Sequence, residues 1–318
     1  MNSMSLGNPN LVEFADTLLA LAQHDEQILV VTSDSRGSGK LGPFGEKLPK
    51  QMVEVGIAEQ NLVGISAGLA SAGKKVFAVS PACFLTARAL EQIKNDVAYS
   101  DNPVKLIGIS AGVSYGALGS THHSIHDYAT LKTIHNIDVV APADNFETRK
   151  AIQAAVDHPH PIYIRMGKKP MHDLHAPDTP FEVGKAIVLS EGTDLTFIAA
   201  GEPVSRALRA ADLLAQDGLS VGVISLHTLC PFDEKAVLAA ARQSDAIITV
   251  EEHSIHGGLG SLVASLLMQA GLSVKLRIVG IPDEYTVTGS QEEIFSYYGI
   301  TPEALAATAR RLLSWKEG

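Results

Sequence analysis

Short runs of β-branched and aliphatic residues, each followed by a stretch with helical spacing, recur along this chain and constrain its fold more than any other feature. The segments "ILVVTSD" (28–34), "KKVFAVS" (74–80), "VKLIGIS" (104–110), "IDVVAPA" (137–143) and "PIYIRM" (161–166) are largely continuous apolar runs rather than alternations. A strand that is apolar on both sides is buried on both sides, which requires a mostly parallel sheet flanked by helices. The segments 11–23, 58–72, 81–99 and 145–157 read as those helices. In "SPACFL", Ser80 suits an N-cap and Pro81 the first helical position.

The pattern stops at "GKKPMHDLHAPDTP" (167–180), which holds three prolines and no periodicity. It restarts with strands at 195–200, 220–226, 246–252 and 275–281 and helices near 203–217, 233–242, 259–270 and 302–314. The expectation is an α/β protein of two domains, 1–170 and 185–318, joined by a linker at 171–184, each a mostly parallel sheet with helices. A chain of 318 residues, 46% of them hydrophobic, can bury cores of that size.

Composition narrows the function. A net charge of -10 argues against nucleic acid or an anionic membrane as partner. No apolar run reaches membrane-spanning length, and the start "MNSMSLGNPN" lacks the basic-then-apolar order of a secretory signal, so a cytoplasmic protein is expected. Cys83 and Cys230 lie far apart, outside any C-x-x-C, and read as small core residues.

Several motifs have a chemical and a plain reading. "GSGKLG" (37–42) matches G-x-G-x-x-G, but Pro43, Gly45 and Pro49 make the following segment a poor helix, so it reads as a loop after a strand. "HHSIH" (122–126) would put His122 and His126 one helical turn apart, yet it lacks the glutamate of a zinc-protease pair and an obvious third ligand; polar contacts to a ligand fit better. Phe84, Arg88 and Gln92 share a helix face, which spacing alone assigns to packing. "GGLGS" (257–261) could greet an anion at a helix start or only make the turn.

Glu59 is harder to dismiss. It opens the apolar run in "EVGIAEQNLVGISAGLASAG" (54–73) with no Lys or Arg within four residues. The helix dipole favours an acid there by about 0.3–1 kcal/mol. That does not account for Gly64 and Gly68, which would let another backbone or subunit approach. An acid at the edge of a close-packed interface is a candidate for proton transfer.

These segments, with "FLTARALEQIKNDVAY", "GSTHHSIHD", "VVAPAD" and "VEEHSIHGGLGS" in order, resemble the thiamine-diphosphate enzymes of the transketolase family over essentially the whole chain. Deoxyxylulose-phosphate synthases and the β-subunits of 2-oxoacid dehydrogenases share parts of the pattern. The resemblance implies a pyrimidine-binding domain followed by a transketolase C-terminal domain. The Gly-Asp-Gly run by which the family's other domain holds Mg²⁺ and the diphosphate is not in this sequence. The implied protein is therefore the C-terminal subunit of a split, two-chain transketolase. Its partner would be an N-terminal subunit carrying the diphosphate-binding domain, in a heterotetramer, with no metal on this chain.

By the same resemblance Glu59 would hydrogen-bond N1′ of the aminopyrimidine and favour the imino tautomer, whose 4′-nitrogen deprotonates C2 of the thiazolium. Phe84 would pack on the pyrimidine, Asp34 would lie near the thiazolium, and Arg88 joins the cofactor side. His122 would line the substrate channel with a catalytic part. Lys168, or Arg165 in its place, would meet the substrate phosphate. The sequence also departs from the family: Asn10 stands where an arginine is common, Ser110 for a histidine, and Leu118 for an acid that contacts a sugar hydroxyl. Leucine accepts no hydrogen bond, so the implied substrate is a specialised ketose phosphate, such as apulose 4-phosphate. The alternatives are a decarboxylating thiamine-diphosphate enzyme and a non-catalytic regulatory subunit.

Overall fold

The computed structural model describes residues 4–314. In chain order the strands are β1 (Leu6–Pro9), β2 (Ile28–Thr32), β3 (Met52–Glu54), β4 (Lys75–Pro81), β5 (Lys105–Ile109), β6 (Asp138–Val140), β7 (Ile162–Arg165), β8 (Pro170–His172), β9 (Ile187–Ser190), β10 (Leu195–Ala199), β11 (Val221–Ser225), β12 (Thr228–Cys230), β13 (Ala246–Ser254) and β14 (Lys275–Ile281). They form a seven-stranded sheet ordered β12-β6-β7-β5-β4-β2-β3, a five-stranded sheet ordered β14-β13-β10-β11-β9, and the ribbon β1-β8. Pairings in the two large sheets are parallel except β12 on β6 and β9 on β11. The architecture is thus mixed α/β with parallel-dominated sheets between helices, as the unbroken apolar runs require: β4 and β5 are buried almost throughout.

Helices Asn10–Ala22 and Asn145–Val156 cover one face of the first sheet through Leu11, Phe14 and Ile152. Helices Pro203–Ala215 and Pro302–Ser314 cover the far face of the second through Leu214 and Leu305. Between the sheets one apolar cluster runs from Leu62 and Val76 through Val139 to Ile198, Leu226 and Val263. The two halves are therefore welded by a shared core.

Register brings the strand ends level. Thr32 stands opposite Glu54 and Val79, Pro81 opposite Ile109, and Gly108 opposite Arg165. The segments that leave these C-terminal ends carry Asp34, Ser110 and Lys168 on loops and Phe84 on the helix Ala82–Arg88, on the edge where parallel sheets bind ligands.

Four local expectations change. Ser80 is a sheet residue whose hydroxyl lies 2.7 Å from that of Ser33, so Pro81 takes the cap position and the helix begins at Ala82. The helix expected over 81–99 breaks into Ala82–Arg88, Leu90–Gln92 and a wider π-helical stretch Ile93–Tyr99. The segment after "GSGKLG" does form a short helix, Gly42–Lys47, because Pro43 sits in its first turn, where a missing N–H costs nothing. The supposed linker holds part of β8, which pairs antiparallel with β1, while β12, from beyond it, extends the first sheet.

Candidate active site

Glu59 begins the helix Glu59–Ser71, just after a turn at Gly56, whose φ of 72° suits glycine. The preceding Ala58 offers no capping oxygen, so the exposed dipole of the first turn favours the carboxylate beside it. Glu59 is only 4% exposed. Its cation comes from the neighbouring helix: Arg88 Nη1 lies 3.0 Å from Glu59 Oε2. The Arg88 guanidinium also covers the Phe84 ring at 4.3 Å. Gln92, placed on the same helix face, turns instead to Glu91. Glu59 opens on a pocket of about 450 Å³ lined by Ile57, Ala58, Gln60, Asn61 and Arg88. Gly64 and Gly68 have open space where a side chain would stand.

From Phe84 a row of contacts leads away from the carboxylate. The His122 ring stands edge-on to Phe84 at 5.2 Å and to Tyr115 at 5.4 Å. Lys168 Nζ lies 4.6 Å from the centre of the Tyr115 ring. Desolvation, then Lys40 and Lys169, hold the Lys168 pKa below its ordinary value. Lys168, with Lys40 nearby, makes this the electropositive end of the row. Burial raises the Tyr115 phenol. Ser110 is buried in the left-handed region at φ 54°, and Leu118 is 54% exposed on the turn Gly116–Leu118.

The histidines of "HHSIH" do not share a helix face. The helix starts only at Asp127, so the spacing that would pair His122 with His126 does not apply. His123 is buried and braces the turn, bonding the Gly116 carbonyl at 2.9 Å and the Thr286 hydroxyl. His126 approaches Thr86.

Asp34 lies in the bend two residues past β2, exposed and with φ 53°. Its N–H donates to Glu54 Oε1 at 2.7 Å, and the Gly56 N–H donates to the same oxygen at 2.8 Å. Glu54 therefore ties the Asp34 turn to the turn that presents Glu59. Neither Glu54 nor Tyr115 stands out in the sequence.

Arg165 is not on this surface, which corrects its assignment to a substrate phosphate. Its side chain is 4% exposed and its donors are consumed: Nε to Asp127 Oδ2 at 2.9 Å, Nη1 to the Tyr128 hydroxyl at 2.9 Å, and Nη2 to the Glu252 carbonyl at 2.6 Å. It locks β7 to β13 across the shared core. Asn10 is buried against Thr148. The helix after "GGLGS" already holds an anion of this chain: Glu251 accepts the N–H groups of Leu259 at 2.7 Å and Gly260 at 2.9 Å. Its carboxyl is nonetheless pushed up to about 7 by burial, against those two bonds. Burial likewise raises Cys83 to about 11, as expected of an inert core thiol.

A buried carboxylate at a helix start, an aromatic ring beside it and a cationic end, all on the C-terminal edge of a parallel sheet, form a surface that an aminopyrimidine such as that of thiamine diphosphate would fit. The residues fit that group: among the described residues Glu59 Oε1 accepts no hydrogen bond and is left for a ring donor, and Phe84 is only half-buried. The family description "Transketolase, pyrimidine binding domain" matches residues 13–172, and "Transketolase, C-terminal domain" matches 184–305. The chain belongs to the transketolase family.

Its relatives include an apulose-4-phosphate transketolase subunit of Phocaeicola vulgatus, 50% identical over 93% of this chain and 95% of that one. The 6-deoxy-6-sulfo-D-fructose transketolase subunit of a Clostridium species is 34% identical over 95% and 94%. Among solved structures, a split-gene transketolase described as an inactive β4 tetramer is 34% identical with a TM-score of 0.88, covering 98% of this chain and all of that one.

Proposed function

We propose that this chain is one subunit of a cytoplasmic two-chain transketolase, in which a partner chain supplies the diphosphate and Mg²⁺ side of the site. The observation that carries the reading is Glu59, buried at 4% exposure yet open on the pocket shared with Arg88. Thiamine diphosphate, when bound, supplies the carbanion chemistry of two-carbon ketol transfer. Glu59 would hold the proton at N1′ of the pyrimidine and so set its tautomer. Phe84, carrying the Arg88 guanidinium on one face, would keep water from the ring. His122 would stand between that ring and the substrate, and Asp34 at the thiazolium side.

Lys168 would bind the phosphate end of a ketose phosphate. Its ammonium is a mobile point charge, suited to phosphate, and Arg165 is engaged elsewhere. The cleft between would accept the sugar carbons beside Tyr115, Ser110 and Leu118. Leu118 favours a skeleton without a hydroxyl to satisfy at that point, and the 50% identity to an apulose-4-phosphate transketolase subunit supports apulose 4-phosphate as the donor. Partner and self-association into a heterotetramer are supported by that relative and by the split-gene structure.

The test is reconstitution with the chain that carries the Gly-Asp-Gly domain, followed by a screen of ketose phosphates. Turnover is expected only with both chains and fastest with apulose 4-phosphate. Full turnover by this chain alone would remove the two-chain reading; release of CO₂ from pyruvate would replace ketol transfer by decarboxylation.

A further inference from the structure

Between the β1-β8 ribbon and the start of the helix Pro203–Ala215 lies a second pocket, of about 350 Å³, whose walls include Lys169, His172, Glu202, Arg206, Arg209 and Glu292. Its size is that of a small-ligand site. Three cations and a histidine face two carboxyl groups. One of these is already engaged: Arg206 Nη2 holds Glu292 Oε1 at 2.7 Å while its guanidinium stacks on Phe295. Lys169 and Arg209 are exposed and have no carboxylate partner among the described residues.

The other carboxyl group, Glu202, is held against ionisation. Burial, then the nearby Glu252, push Glu202 up to about 8. Gln291 Nε2 bridges the two, 2.9 Å from each. Even with both carboxyl groups charged, Lys169, Arg206 and Arg209 outnumber Glu202 and Glu292 and leave the pocket net positive.

Two wall residues carry a buried polar atom with no hydrogen-bond partner among the described residues, His172 Nδ1 and Arg206 Nε; Glu202 Oε1, likewise unpartnered, lies against Gly167. Buried polar atoms are normally paired, and two orphans on residues of one concavity mark a place where a polar guest would sit. A net positive site with a guanidinium edge and a lysine suits a group with several anionic oxygens.

We propose that this pocket is a second binding site, for a phosphate-bearing small molecule, distinct from the Glu59–Lys168 row. The two sites lie back to back on one segment. Lys168 turns to Tyr115 and Lys169 to the second pocket. Gly167 lets the Glu202 carboxyl group pass close, since a Cβ there would collide with Glu202 Oε1.

Calorimetric titration of the full chain with inorganic phosphate and with ribose 5-phosphate tests the assignment. The proteins are wild type, the double variant Lys169→Ala/Arg209→Ala and Lys168→Ala, each checked by thermal melting; both residues of the double variant are exposed, so it should fold. A saturable site is expected that persists in Lys168→Ala and weakens roughly tenfold or more in the double variant. Tighter binding of ribose 5-phosphate assigns a phosphorylated metabolite to the site, and equal binding assigns free phosphate. No saturable binding of either probe overturns the proposal. So does binding that vanishes in Lys168→Ala and survives in the double variant, because the anion would then occupy the active-site row alone.

Discussion

Arg88 Nη1 lies 3.0 Å from Glu59 Oε2, linking two helices across 29 residues of sequence. The arginine side chain is 49% exposed and the glutamate 4%, so screening keeps the pair's contribution to stability near 0–1 kcal/mol. Glu59 is thus held in place without being bound tightly into the fold. Glu59→Gln keeps the shape and removes the proton acceptor. In the reconstituted complex kcat should fall about 10²–10⁴-fold while the melting temperature stays within about 3 °C. Rate and melting measurements on the same preparations check this; unchanged kcat would leave Glu59 no chemical role.

Glu54 acts one step further out. Its Oε1 takes the N–H groups of both Asp34 and Gly56, and Asp34 sits at φ 53°, where a non-glycine residue needs support. Bonds of this charged kind are worth about 1.5–3 kcal/mol each, less here because the carboxylate is exposed. Glu54→Ala should raise the apparent KM for thiamine diphosphate about tenfold and lower kcat less, since the turns before Glu59 loosen. Glu54→Gln keeps an acceptor oxygen and should restore much of the loss. A purely structural Glu54 would shift the melting temperature and leave the KM alone.

The contrast between Glu59 and Glu54 shows what a sequence exposes. Glu59 is visible because an acid interrupts an apolar helix with no local cation. Its partner is not, because Arg88 comes from another helix. Glu54 looks like any polar strand end, and Tyr115 like any loop aromatic; their meaning lies in contacts with Gly56, His122 and Lys168. The same limit applies to the fold. Strands buried on both faces, such as β4 and β5, announce the sheet. The three-residue strands β3, β8 and β12 are too short for any period, and β12 exists because β6, some 90 residues earlier, offers it an edge. Arg165 misleads because one basic residue resembles another near Lys168 until burial separates them.

Lys168 should therefore be separable from the chemistry. It reaches Tyr115 at 4.6 Å, at the far end of the row from Glu59. Lys168→Ala should raise the KM for a ketose phosphate about 10–100-fold and leave kcat within about threefold, the mark of lost uniform binding. The effect should shrink with an unphosphorylated ketose. Equal losses with both substrates would place the lysine elsewhere in the cycle.

Among the described residues His227 is one of two buried histidines, with His253, whose pKa burial pushes down to about 4. It is fully buried, stacked on Phe181 at 4.4 Å, with Nδ1 2.9 Å from the Thr228 hydroxyl. Burial, then His175, push its pKa from 6.5 to about 4. The folded state binds this proton less tightly than the unfolded chain, so the stability from neutral His227 is present above pH 6.5 and is lost as pH falls from 6.5 through 4. The loss is on the order of 3 kcal/mol. His175 carries the opposite sign. Burial works against its charge, but Asp144 at 2.8 Å and then Glu147 outweigh burial and raise its pKa, so its contribution is present below its ordinary value and fades as pH rises. His227→Phe removes only the acid-side loss. Urea unfolding of wild type and variant between about pH 6.5 and 4 should show the wild type weakening more steeply, with the difference closing toward neutrality. Parallel curves would assign the acid-side loss to another group, His253 foremost, because the buried carboxyl groups Glu147 and Glu251, raised by burial, gain stability as pH falls.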